Sequence, residues 1–224
     1  MKKLLSIFLA LILVLSFAAC TSSEDVKGKV DSKSDALTEK NDDEFKIGLG
    51  NSTANTYKNE FIGVSCTLDS DWTFLTQEEI YELNNLTNDM LDEKIAESIE
   101  SANLIYDMQA TTEAGDNVAA NIEKLSILNS AIHDEESYID ASLPQLKTSL
   151  EDIGITVTKS EKIELEFIGK KTFGCYIVGT ASNGVTIYEK LACIKKGSYV
   201  YVVAAASSTD GKVDEILNQF KAID

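Results

Sequence analysis

Residues 172–207 read TFGCYIVGTASNGVTIYEKLACIKKGSYVYVVAAAS, and their pattern indicates the main sheet of the protein. This stretch holds three runs rich in apolar and β-branched residues. They are separated by Ser182-Asn183-Gly184 and by Lys195-Lys196-Gly197-Ser198, residue types that favour hairpin turns. The stretch therefore predicts an antiparallel meander of three strands. Its third run, residues 199–206, is apolar without alternation, and such a strand is buried on both faces of its sheet.

A strand buried on both faces needs a cover on each side of the sheet, and we expect helices to provide both covers. The C-terminal segment is a candidate because its apolar residues recur at helical spacing. These are Val213, Ile216, Leu217, Phe220 and Ile223. The predicted fold class is α+β, with an antiparallel sheet flanked by helices on both faces, an α/β/α sandwich.

A second long helix is predicted upstream of the meander. It begins near Asp134, where the following acidic residues favour the first turn of a helix, and it ends at Gly154. Pro144 lies inside this segment and removes one helical hydrogen bond. Ser142 and Gln145 form an S-x-x-Q box around it, so we expect the helix to kink or restart there.

The first half of the domain alternates strands and helices. Residues 45–49 and 62–68 are predicted to pair as a hairpin. Thr76 and Glu79 form a T-x-x-E capping box that starts a helix, and a second helix is predicted over residues 87–102. LIYDMQATT and NVAANIEKLSIL then flank turn residues and predict another hairpin. Residues 45–224 are expected to form one domain.

The order of these elements resembles the PsbP-like fold, named for an extrinsic subunit of photosystem II and shared with a Ran-binding nuclear import factor. The resemblance rests on Tyr57-x-Asn59-x-Phe61-x-Gly63, the Asp71-Trp72 turn, and the closing strands and helix. The chain also looks like lipoproteins of Gram-positive bacteria that share this fold and have no assigned activity. The segment between Trp72 and Leu104 is longer than in the smallest members. The resemblance implies a fold and transfers no functional residue.

The N-terminus has the features of an export signal. Lys2 and Lys3 precede 16 mostly apolar residues that end at Ala19, fewer than the roughly 20 that span a bilayer. The next residue is Cys20, and Phe17-Ala18-Ala19-Cys20 resembles the lipobox of bacterial lipoproteins, although Phe17 departs from the usual Leu or Val. The resemblance implies that residues 1–19 are a signal peptide and that Cys20 carries the lipid. An ordinary secretory signal with an incidental cysteine is the alternative.

Residues 20–44 are predicted to be the lipidated cysteine and a disordered tether. The segment after Cys20 is too polar to offset the entropy of ordering it, and as a coil it would span about 27 Å. Loss of Lys2 and Lys3 moves the net charge from −17 to −19. Such a charge disfavours nucleic acid and anionic lipid headgroups as partners, so the expected membrane contact is the lipid on Cys20.

No motif in the sequence predicts catalysis, a cofactor or a metal. Gly63 to Thr67 lacks the second glycine of a nucleophile elbow, and the segment after Gly169 does not match a phosphate loop. Asp69 and Asp71 lack the glycine and glutamate of a calcium loop. The single histidine, His133, is interpreted as a capping or surface residue.

The pairing of Cys175 and Cys193 depends on the turn between their strands. A two-residue turn points them to opposite faces of the sheet, whereas a turn one residue longer would place them opposite each other. We favour two separate buried thiols, and the sequence leaves the disulfide open.

Three functions remain. The first is a non-enzymatic, lipid-anchored binding or accessory module on the outer face of the bacterial cytoplasmic membrane, whose partner would be an envelope protein or a small ligand. It predicts an apolar surface groove and no cluster of perturbed titratable groups. The second is a hydrolase with two carboxylates converging in a cleft at roughly 5 to 9.5 Å. The third, a solute-binding lipoprotein of a transporter, usually has two lobes, and one domain of this size lacks them.

Overall fold

The computed structural model describes residues 47–125 and 134–223. Within these ranges the chain forms eleven strands and four helices. The strands are β1 Asn51–Thr53, β2 Thr56–Asn59, β3 Val64–Thr67, β4 Trp72–Phe74, β5 Leu104–Thr112, β6 Asn117–Lys124, β7 Ile155–Phe167, β8 Lys170–Ala181, β9 Thr186–Lys196, β10 Tyr199–Ser207 and β11 Phe220–Ala222. The helices are α1 Gln77–Leu83, α2 Asp92–Ser101, α3 Glu135–Asp152 and α4 Lys212–Leu217.

The predicted meander forms part of a seven-stranded antiparallel sheet with the order β4-β5-β6-β10-β9-β8-β7. β10 pairs with β6 on one side and β9 on the other. Its residues alternate between two core clusters, with Val202 in one and Val203 in the other. The prediction that this strand is buried on both faces is confirmed.

The two faces of the large sheet have different covers. The face that carries Val202 packs against α3 through Tyr138, Leu146 and Leu150. On the opposite face, α4 packs against β9 and β10, and the same core includes residues of a four-stranded sheet with the order β1-β2-β3-β11. Helices alone were expected on both faces, and this second sheet was not predicted.

The second sheet arises because two segments of the chain have secondary structure that differs from the prediction. Residues 47–49 are not a strand, and β1, β2 and β3 instead form a short meander after them. At the other end, α4 stops at Leu217, so Phe220 is in β11 and not on the helical stripe. β11 pairs with β3, which fixes the C-terminal strand to the N-terminal ones.

The first two helices differ in how they begin, because α1 has a side-chain cap and α2 has none. Thr76 accepts a hydrogen bond from the Glu79 N–H and the Glu79 side chain binds back to Thr76, so the predicted capping box is confirmed. The second predicted helix is shorter than expected because α2 begins only at Asp92.

The predicted interruption at Pro144 does not occur, because α3 runs from Glu135 to Asp152 without a break. Asp134 caps its N-terminus. Ser142 donates its hydroxyl to the Tyr138 carbonyl at 2.6 Å and does not cap a new helix. Pro144 is exposed, so water can satisfy the carbonyl that loses its partner. Gly154, with φ of +87°, ends the helix as predicted.

Cys175 and Cys193 are free and buried. Their side chains point to the same face of the sheet. A two-residue turn was expected to point them to opposite faces, and the turn is longer than that. The loop is residues 182–184, since the Ala181 N–H donates to the Val185 carbonyl at 2.9 Å. Cys175 therefore lies opposite Leu191, one row away from Cys193.

Candidate functional site

Three carboxyl side chains are buried between the layers. Asp107, Glu123 and Glu189 are 1%, 5% and 3% exposed. Burial raises the pKa of Asp107 to about 6, that of Glu123 to about 7 and that of Glu189 to about 8. Groups with such raised pKa values are candidates for catalysis or for structure, and their surroundings distinguish the two roles.

Asp107 joins the two sheets. Its Oδ1 accepts the Gly50 N–H at 2.5 Å, and its Oδ2 accepts the Asn59 side-chain amide at 2.8 Å and the Tyr57 hydroxyl. The Tyr57 hydroxyl also lies 3.1 Å from that of Tyr201 on β10. We call Asp107, Tyr57, Asn59 and Tyr201 the Asp107 cluster. Each member is at most 1% exposed, so the cluster stabilises the packing of the sheets and is closed to a substrate.

Glu123 connects β6 to the helix on the other face. It accepts a hydrogen bond from the Tyr138 hydroxyl of α3 at 2.7 Å. The burial of Tyr138 and the nearby Glu123 charge raise the pKa of this phenol well above its ordinary value. The pair is therefore a buried contact between the helix and the sheet.

Glu189 differs from the other two carboxyls because part of it lacks a partner. Among the residues that the structure describes, its Oε2 has no hydrogen-bond partner, and neither does the side-chain amide of the buried Asn117. Asn117 on β6 and Glu189 on β9 each pair with Ala206 of β10, from opposite sides of that strand. A neutral Glu189 costs less to leave in this position than an ionised one, which agrees with the rise in its pKa.

The buried carboxyls do not converge on one cleft. Asp107 is on the face toward the four-stranded sheet, whereas Glu123 and Glu189 are on the α3 face. Glu123 is in register with Val200 and Lys195, and Lys195 is six positions from Glu189 along β9. At about 3.3 Å per residue this separation is about 20 Å, too far for a catalytic pair of carboxylates.

Two open grooves are present on the described surface. The first, of about 310 Å³, lies between α3 and β7 and is lined by Leu143, Pro144, Lys147 and residues 157–160. The second, of about 550 Å³, lies between the tip of the β7–β8 hairpin and β11, and we call it the β11 groove. Its lining is Glu166, Ile168, Gly169, Leu217, Asn218, Phe220, Lys221 and Ala222.

The residues singled out in the sequence are dispersed. Cys20 and His133 lie outside the described residues. Ser65 is inside β3, the Asp69 carbonyl accepts the Trp72 N–H of a turn at 3.1 Å, and Gly169 is a hairpin residue. In the described part of the chain, no three His, Cys, Asp or Glu side chains are grouped as a metal site requires.

The Asp107 cluster was missed by sequence reasoning. Asp107 is one acidic residue in a strand and belongs to no motif. A usable signal was nonetheless present, because Tyr57 and Asn59 are two positions apart on one strand and therefore project to the same face. Two polar side chains on a buried face require a polar partner.

The chain is similar in structure to proteins of known fold. One is the cyanobacterial PsbP (CyanoP) of Synechocystis, at 9% identity and a TM-score of 0.45, over 76% of this chain and 94% of that one. Another is LpqN, described as involved in cell envelope biogenesis of Mycobacterium tuberculosis, at 12% identity and a TM-score of 0.41, over 72% of this chain and 83% of that one. No family model and no curated protein matches the sequence. The predicted α+β class is confirmed by the strands and helices of the structure.

One further observation concerns membranes. Within residues 47–125 and 134–223, none of the helices combines the length and the apolarity that crossing a bilayer requires.

Proposed function

We propose that this chain is a lipid-anchored binding or accessory module of the bacterial cell envelope, on the outer face of the cytoplasmic membrane, without catalysis of its own. The observation that supports it best is the placement of the perturbed carboxyls. Asp107 and Glu123 are used as contacts between layers, and Glu189 is about 20 Å from Glu123 along the sheet. The β11 groove, in contrast, is open and offers apolar side chains and the edge of a sheet.

One expectation of this proposal is not met in its simple form. A binding module was expected to have no cluster of perturbed titratable groups, and the Asp107 cluster is one. Its members are closed to solvent and share their hydrogen bonds with one another, so a structural role accounts for it. A carboxylate hydrolase needs two acids at one cleft, and the distance of about 20 Å between Glu123 and Glu189 weighs against it.

The anchor is proposed from the sequence. Lys2, Lys3 and the apolar run that ends at Ala19 would direct export, and Cys20 would receive the lipid. A doubly acylated cysteine anchors stably, whereas one chain alone binds marginally. The polar segment after Cys20 would then hold the folded domain away from the headgroups.

The anchor is tested by metabolic labelling of bacteria that produce the full chain. With labelled palmitate, we expect the wild-type protein and the neighbouring control Thr21→Ala to carry the label and sediment with membranes. Cys20→Ala should lose both properties. Wild-type protein without label, or a Cys20→Ala variant that still sediments with membranes, would contradict the anchor.

The binding role is tested separately by reversible crosslinking on intact cells. A binding module should give a discrete adduct with a second envelope component, and the adduct should persist in Glu123→Gln, which keeps the buried contact but removes the acid. If no adduct forms, or if turnover of an envelope substrate depends on that carboxyl, the non-enzymatic proposal is wrong.

A further inference from the structure

One of the two edges of the four-stranded sheet, that of β11, lies in the β11 groove. β11 is the last strand of that sheet, and all three of its residues line the groove. Successive residues of a strand project to opposite faces of the sheet, so a lining that includes all three means that the groove follows the strand edge.

The hydrogen-bonding groups at this edge can be assigned from the register. The Ile223 N–H donates to the Gly63 carbonyl at 2.9 Å, and Lys221 pairs with Ser65. Residues of an antiparallel strand alternate in the side to which their backbone groups point. The N–H and C=O groups of Phe220 and Ala222 therefore point away from β3 and into the groove. No described residue pairs with β11 on that side.

The size of the groove matches one added strand. A strand of three residues is about 10 Å long, and the usual strand spacing and sheet thickness give it a volume of roughly 480 Å³. The groove measures about 550 Å³.

The opposite wall of the groove holds a residue in an unfavourable backbone conformation. Ile168, in the two-residue turn between β7 and β8, has φ of +47°, a region that β-branched residues rarely occupy. An asparagine would suit this turn better. Ile168 instead packs against the core that contains Phe167 and Phe220 and presents apolar surface to the groove. Conformations of this kind concentrate at functional sites.

The charges around the groove select the chemistry of the partner. Lys221 lines it, and Lys170 and Lys171 directly follow the lining residue Gly169, with Glu166 as the opposing charge. The charges of the lining itself cancel, and the two adjacent lysines add a positive excess in a chain whose net charge is −17. An extended segment with acidic side chains is therefore favoured over a basic one.

The long edge strand of the large sheet, β7, is less suited to strand addition. β7 is the outer strand of the large sheet, but it carries Lys159, Glu161, Lys162 and Glu164 and a bulge between Val157 and Lys159. Charged residues and bulges are the features by which edge strands avoid pairing.

We infer that the β11 groove receives an extended, acidic segment of a partner protein, which adds to β11 as a fifth strand. Backbone hydrogen bonds to Phe220 and Ala222 would hold the segment, and Ile168 and Lys221 would select its side chains. The inference rests on the proposed binding role and names the surface that performs it.

The test uses synthetic nine-residue peptides of alternating threonine and valine with two aspartates, and a matched peptide with two lysines in their place. We expect the acidic peptide to bind at least tenfold more tightly at low salt and to protect the Phe220 and Ala222 amides from hydrogen exchange. Ala222→Pro removes one outward N–H, at a position where an edge strand tolerates proline, and should weaken binding at least tenfold. Ala222→Ser keeps the N–H and should bind as the wild type does.

A charge reversal provides a second variant. Lys221→Glu should reverse the preference and favour the lysine peptide. The inference is overturned if Ala222→Pro binds as tightly as Ala222→Ser, if protection appears on β7 instead, or if neither peptide binds at millimolar concentration. In the last case, a crosslinked adduct that persists in Ala222→Pro leaves the binding role in place and refutes only this site. Loss of the adduct in every variant and in the wild type refutes the role itself.

Discussion

At the scale of single residues, Tyr57 illustrates how a buried acid is tolerated. Its hydroxyl donates to Asp107, and Asn59 and Gly50 donate to the same carboxyl. Tyr57→Phe leaves this acid with one donor fewer and keeps the ring in place. Loss of a hydrogen bond to a buried charged group should lower the free energy of unfolding by about 1 to 3 kcal/mol.

Urea denaturation of Tyr57→Phe measures this loss, with Tyr106→Phe as the matched control. Tyr106 is half-buried on β5, and the change there should fall within about 0.5 kcal/mol. Equal losses for the two variants would show that the hydroxyl of Tyr57 has no special role.

For Glu189, we expect a substitution that raises the free energy of unfolding. Burial raises its pKa from the ordinary 4.5 to about 8, so between these values the folded state holds a proton that the unfolded state releases. The contribution of Glu189 to stability is therefore full below about pH 4.5 and is lost as the pH rises to about 8. Glu189→Gln cannot ionise and should be more stable than the wild type at pH 9, by about 5 kcal/mol, since the rise in pKa from 4.5 to about 8 spans about 3.5 powers of ten and each tenfold change in an ionisation constant corresponds to about 1.4 kcal/mol.

At pH 4.5 this advantage should disappear, because the wild-type side chain is then neutral as well. Chemical denaturation at the two pH values tests the difference, with Glu164→Gln on the exposed side of β7 as the control. A stabilisation that is equal at both pH values, or is shared by Glu164→Gln, would contradict the role of buried ionisation.

At the scale of elements, the pairing of β8 with β9 depends on Gly174. A Cβ at this position would lie 1.9 Å from the Leu191 carbonyl oxygen of the neighbouring strand, and a backbone atom cannot move aside as a side chain can. Gly174→Ala should therefore lower the free energy of unfolding by about 3 kcal/mol or more. Gly48→Ala is the control, because its added Cβ meets nothing within 4 Å.

Thermal unfolding of the two alanine variants measures the effect. The large sheet must separate locally at β8 and β9 to accept the methyl group, so Gly174→Ala should also expose the amides of β9 to exchange. A Gly174→Ala variant as stable as Gly48→Ala would mean that the two strands are not paired in this register.

The meander could be predicted because its signals are local. Turn residues such as Asn183 and Gly197 separate the runs, and each strand pairs with the next one along the chain. The second sheet could not be predicted in this way. Its last strand has three residues, and its pairing joins Phe220 to Cys66 across almost the whole domain. A helical stripe and a short strand share the same apolar residues at that end, so periodicity alone placed Phe220 in a helix.

The candidate sites show the same limit. Cys20 is predicted to carry the lipid from a local motif, whereas the Asp107 cluster and the β11 groove both depend on contacts between distant segments. Asp107 is only one of 37 acidic residues, and composition gives no sign that it is buried. Its partners Tyr57 and Asn59 were part of the motif that carried the resemblance in fold, and their hydrogen bonds give that motif a physical meaning.

At the scale of the whole molecule, buried acids and surface charge both make the free energy of unfolding rise as the pH falls. The two contributions differ because salt screens only the surface charge. Asp107, Glu123 and Glu189 have raised pKa values of about 6, 7 and 8. The folded state therefore takes up protons first as the pH falls, and the free energy of unfolding should rise from pH 9 to about pH 5.

Repulsion within a surface of net charge −17 also weakens on acidification, but salt screens it, with a Debye length of about 3 Å at 1 M. We expect most of the pH dependence to persist in 1 M NaCl, and Glu189→Gln to reduce it between pH 5 and pH 8. A pH dependence that vanishes in 1 M NaCl would assign the effect to the surface, and a stability that falls on acidification over this range would mean that the three carboxyls are not buried as described.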